Sequence, residues 1–63
     1  MELITRLDLA KRWQTSTRTV DRKRQLGLLP WIDIAGGHGK RPIVRFRLED
    51  IEMFENSMTQ KAN

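Results

Sequence analysis

A chain of 63 residues, 38% hydrophobic and without cysteine, has room for one small domain, since chains near 60 residues bury only about 60% of the surface they expose when unfolded. That excludes a second domain, a disulfide framework and a Cys-based metal site, and it makes a large catalytic cleft a poor fit. Twelve Lys and Arg against eight Asp and Glu, a net charge of +4, favour a polyanionic partner, nucleic acid before an anionic membrane.

In chain order, the N-terminus Met1-Glu2-Leu3-Ile4-Thr5-Arg6 has neither the basic stretch nor the apolar run of a secretory signal. No segment approaches the roughly 20 apolar residues of a membrane span, so a cytoplasmic location is expected, with no membrane contact. Thr5 followed by Asp8 is a capping-box pattern, with Ile4 placed as a hydrophobic staple. It predicts a helix over Arg6 to Trp13 whose apolar stripe is Leu9, Ala10 and Trp13. Gln14-Thr15 interrupts the pattern. Ser16 then offers a second N-cap before a helix over Thr17 to Leu26, ended by Gly27 and Pro30. Two short helices joined by such a turn read as a helix-turn-helix. The second helix is poor in apolar residues, with Val20 and Leu26 expected to face inward, helped by the aliphatic stems of Lys23 or Arg24.

After Pro30 the period changes to two. Ile32 and Ile34 alternate with Trp31 and Asp33, and Val44 and Phe46 alternate with Ile43, Arg45 and Arg47, which predicts two strands. Their connection, Ala35 to Pro42, is Gly-rich and too long for a tight turn, so it reads as a wing. Leu48, Ile51 and Phe54 predict a closing amphipathic helix over Glu49 to Ser57. The expected fold is α+β, a winged helix-turn-helix in the order helix, helix, strand, wing, strand, helix, occupying residues 1–56, with a flexible tail over 57–63. There is no internal repeat.

The charge is unevenly distributed. From Lys11 to Arg47 there are ten Lys and Arg against two Asp, a local +8, whereas Leu48 to Gln60 carries four acids and no base, a local −4. On the second helix Thr17, Arg18, Asp21, Arg22 and Gln25 share one broad face. In a helix-turn-helix that helix lies in the major groove, and a guanidinium can donate two parallel hydrogen bonds to guanine O6 and N7. Arg18 and Arg22 are therefore the expected base readers, and Ser16, Thr17 and the first backbone N–H groups suit a phosphate. In the wing, Lys40 and Arg41 are expected at phosphates or the minor groove. His38 is a loop residue with at most a phosphate contact. Trp31 is open between packing beside the second helix, touching DNA and meeting another subunit.

Other chemistries fit poorly. Gly36-Gly37-His38-Gly39-Lys40-Arg41 is not a nucleotide-binding loop, because Ile34 stands where the first Gly is needed, Arg41 where Ser or Thr is needed, and a strand follows. One His and no Cys give no metal site. Ser16 and Ser57 have no base partner, and the acids of the last helix have no pocket, so no enzymatic activity, cofactor or small-molecule effector is expected.

Ile4-Thr5, Leu9-Ala10, Ser16-Thr17-Arg18-Thr19-Val20, Gly27-Leu28-Leu29-Pro30 and Arg45-Phe46-Arg47-Leu48-Glu49-Asp50-Ile51 together resemble the small winged helix-turn-helix proteins of the excisionase type, related to the MerR DNA-binding fold. The resemblance covers about residues 3–55. It implies double-stranded DNA as partner, with Thr17, Arg18, Thr19, Arg22 and Lys23 on the DNA side and Lys40 and Arg41 in the wing. The turn departs from the family, carrying Gln14-Thr15 where Gly and an apolar residue are common. Lys23-Arg24 likewise stand where an apolar residue usually packs.

Similar folds serve as excisionases, also called recombination directionality factors, as prophage or mobile-element transcription regulators, and as the DNA-binding end of terminase small subunits. With only a few residues after the last predicted helix, the dimerisation helix of MerR-type regulators is not expected here. This favours an excisionase of a bacterium or phage, bending DNA beside an integrase and working with that recombinase or with copies of itself.

Overall fold

The computed structural model describes residues 2–37 and 41–59. Its elements are β1 (Leu3–Ile4), α1 (Arg6–Arg12), α2 (Thr17–Gln25), β2 (Ile32–Asp33), β3 (Val44–Arg47) and α3 (Leu48–Met58). The expected α+β class holds, with three helices and a three-stranded antiparallel sheet in the order β1-β3-β2. The expected element order lacked β1. Two residues carry no readable alternation, and this strand exists because Leu3 and Ile4 pair with Arg47 and Phe46. Ile4 therefore does more than staple a helix end. It packs against the core.

The helix boundaries follow local chemistry. At α1 the Thr5 hydroxyl accepts from the Asp8 N–H at 3.0 Å, and the Asp8 carboxylate accepts from the Thr5 N–H at 3.1 Å, a complete capping box. These contacts hold the Asp8 carboxyl below its usual range, the Thr5 N–H contributing most. The α2 N-cap is Ser16, whose side chain accepts from the Thr19 N–H. Both helices end in the same left-handed hydrogen-bonded turn. Gly27 (φ 77°) ends α2, its N–H donating to the Arg24 carbonyl while the Leu28 N–H donates to that of Lys23. Gln14 (φ 55°) ends α1, with the matching pair from Gln14 to Lys11 and from Thr15 to Ala10. A side chain there costs about 1 kcal/mol relative to Gly.

The core consists of Leu9, Ala10, Val20, Leu29, Val44, Phe46 and Ile51, with Ile4, Trp13 and Phe54 against it. Val44 and Phe46 point inward as their alternation predicts. Leu26 does not, being 68% exposed. Six residues of helix carry it about 120° round from Val20, and Leu29, brought back by the Gly27 turn, is buried in its place. Ile34 is also exposed, whereas Ile32 is half-buried. The closing helix begins directly after β3 and runs through Met58, so Ser57 and Met58 are helical rather than part of a tail.

Candidate nucleic-acid interface

The orientation of α2 is set by one side chain. Val20 is its only fully buried residue, and with about 100° per residue the direction opposite Val20 falls between Arg18 and Arg22. Both arginines are exposed. Among the described residues neither forms an ion pair. They share a shallow concavity with Thr17, Asp21 and Gln25, the set expected from spacing. Thr17 also lines a second concavity with Arg6, Pro42, Ile43 and Arg45. The outward face of α2 is thereby continuous with the base of the connection between β2 and β3.

That base is built by Asp33. Its Oδ1 accepts from the Ala35 N–H at 2.9 Å and from the Ile43 N–H at 3.0 Å, and the Ile34 N–H donates to the Ile43 carbonyl at 3.0 Å. A short polar side chain that hydrogen-bonds its own backbone two residues on is an Asx-type turn, here extended to clamp both arms. Arg41 is exposed beyond it. His38 and Lys40 lie outside the described residues.

Not every expected contact residue falls on one surface. Ser16 caps α2, and its Oγ is 3.2 Å from the Thr19 hydroxyl. Thr19 and Lys23 lie on the flank turned toward α3, where they line a groove with Trp13, Phe54 and Met58. The site therefore divides into Thr17, Arg18 and Arg22 on the outer face and Thr19 with Lys23 on the flank.

Several basic residues are engaged internally. The Arg12 guanidinium donates to both Glu55 oxygens, at 2.7 and 2.8 Å, and the Trp13 indole N–H donates to Glu55 Oε2 at 2.7 Å. Arg12 first and Trp13 second hold the Glu55 carboxyl down to about 2. The Arg12 guanidinium is correspondingly raised by Glu55. Arg6 Nε lies 2.8 Å and Arg24 Nε 3.8 Å from Asp21 Oδ1. The Arg6 N–H is not aimed at that oxygen and Arg24 Nε is beyond hydrogen-bond reach of it, which makes these ion pairs rather than hydrogen bonds. The Arg24 guanidinium lies over the Trp31 ring, 4.8 Å from its centroid, so Trp31 packs beside α2 through a cation–π contact. Arg47 is 3.9 Å from Asp50.

The Glu55 and Asp33 contacts were missed by sequence reading. Glu55 had a readable signal, since it follows Ile51 by four residues and so sits on the apolar stripe of α3. No helix among the described residues is long and apolar enough to cross a membrane. No protein-family model matches the sequence, and comparison with curated proteins and with solved structures gave no significant match.

Proposed function

We propose that this chain is a sequence-specific double-stranded DNA-binding protein of the winged helix-turn-helix kind. The observation that carries the reading is the outward pair Arg18 and Arg22, opposite buried Val20 and free of ion pairs among the described residues. Their concavity runs through Thr17 into the base of the wing. A helix enters a major groove about 12 Å wide, and a guanidinium matches guanine O6 and N7 with two parallel hydrogen bonds. Arg18 and Arg22 read bases. Thr17 and the first N–H groups of α2 meet a phosphate, and Arg41 with Lys40 follows the flanking backbone. Within this class the role is that of an excisionase, bending DNA to assist an integrase, on the strength of the Ser-x-Arg-Thr-Val, Gly-x-Leu-Pro and Arg-Phe-Arg-x-x-Asp-Ile resemblance.

A binding titration against salt tests the first part. With about six phosphate contacts the log–log slope is expected near −5, and a slope near zero overturns DNA binding. Arg18→Ala and Arg22→Ala should each relax sequence preference by about 1–3 kcal/mol, whereas Lys40→Ala and Arg41→Ala should weaken binding to all sequences alike. Energy transfer between the labelled ends of a bound duplex tests the second part. A bend is expected, and an unbent duplex removes the architectural role while leaving DNA binding intact.

A further inference from the structure

The outer face of α2 carries one acid among its bases. Asp21 lines the same concavity as Thr17, Arg18, Arg22 and Gln25. A carboxylate on a face that approaches phosphates repels every DNA sequence equally, so its value there lies in discrimination. Two features make it a fixed reader. Its Oδ1 is covered and held by Arg6 from α1 and Arg24 from α2, at 2.8 and 3.8 Å. Its side chain remains 26% exposed, and among the described residues Oδ2 forms no hydrogen bond.

The major-groove edge of a base pair offers acceptors on guanine and thymine, one donor on cytosine N4, and a donor beside an acceptor on adenine. Arginine only donates and an ionised carboxylate only accepts. Guanine and thymine oppose Asp21 with like partial charge, and adenine N7 opposes its second oxygen. Cytosine alone presents a donor with no acceptor of its own beside it, its N4 amine being flanked by the C5–H on one side and by the paired guanine O6 on the other. We infer that Asp21 is a specificity-determining residue that accepts a hydrogen bond from the N4 amine of a cytosine, at a position next to the bases read by Arg18 or Arg22. This inference rests on the DNA-binding reading and adds to it a preference the arginines cannot supply.

Selection of bound sequences from a randomised duplex pool, run with the wild-type chain, Asp21→Asn and Arg6→Gln, tests it. The wild-type motif should contain one cytosine that Asp21→Asn loses by about tenfold, with a shift toward adenine, because an amide can pair with adenine N6 and N7. Arg6→Gln removes one of the two braces but not the reader, and should blunt the cytosine preference less than Asp21→Asn does while binding more weakly overall. Replacing that cytosine by N4-methylcytosine, with the methyl group in the groove, should weaken wild-type binding about tenfold without any change to the protein. An Asp21→Asn motif identical to wild type, an equal loss at every position, or a larger loss of the cytosine in Arg6→Gln than in Asp21→Asn overturns the inference and leaves Asp21 as a brace between α1 and α2. Failure of the wild-type chain to enrich any sequence overturns the DNA-binding reading itself.

Discussion

Helices α2 and α3 are nine and eleven residues long, one basic and one acidic, and they differ in how their outermost charges are used. On α3 two of the four acids, Asp50 and Glu55, are paired inside the molecule. Glu55 grips Arg12 and the Trp13 indole, Asp50 lies near Arg47, and Ile51 and Phe54 reach the core, Phe54 with its ring centroid 5.6 Å from that of Trp13. On α2 a single buried valine anchors the helix, and the two arginines opposite it have no ion-pair partner among the described residues. Net charge alone does not separate these cases. Of the basic residues in the segment with local +8, Arg12, Arg24 and Arg47 are engaged internally, so the basic surface left for the proposed DNA contact is smaller and better defined than the count implies.

The contrast can be broken first at the core. Ile51→Ala should destabilise the fold by about 2–5 kcal/mol, visible as a large fall in Tm, whereas Arg18→Ala and Arg22→Ala should leave Tm nearly unchanged. Equal losses would mean that α2 is held by its arginines and not by Val20. Next comes the acid clamp. Glu55→Gln should cost about 1 kcal/mol, allowing for solvent screening of a partly exposed pair, or about 4–8 °C in Tm.

The same clamp sets a pH window. Folding lowers the Glu55 carboxyl from 4.5 to about 2, so between those values the unfolded chain binds the proton first and stability rises with pH. The contribution is complete above about pH 5 and is lost as pH falls toward 2. A series of Tm measurements from pH 5.5 to 2.5 should show this decline, flattened in Glu55→Gln. The smallest expected effect is a gain. Gln14→Gly places the residue suited to φ 55° at the end of α1 and should stabilise by about 0.5–1 kcal/mol, making the α1 terminus match the Gly27 turn of α2.

Much of this was legible because it is local. The pair Thr5 and Asp8, the Ser16 cap and Gly27 mark helix ends through contacts within a few residues, and the alternation of Val44 and Phe46 requires only a pleat. The outward position of Arg18 and Arg22 follows from helical geometry once Val20 is taken as buried. Leu26 was misplaced because its inward position was assumed from its chemistry, against its angle to Val20.

By itself, then, the sequence determined the caps, the helices, the inner face of β3 and the basic outer face of α2, all consequences of short-range hydrogen bonding and periodicity. Tertiary structure alone decided which charges remain available. The bond from Arg12 to Glu55 spans 43 positions, and the pairing of Leu3 with Arg47 and of Ile4 with Phe46 crosses a similar stretch of the chain. It also decided that Thr17 joins the α2 face to the base of the β2–β3 connection and that Asp21 is held among arginines. Such pairings depend on which distant segments the core brings together, and no local pattern encodes that choice.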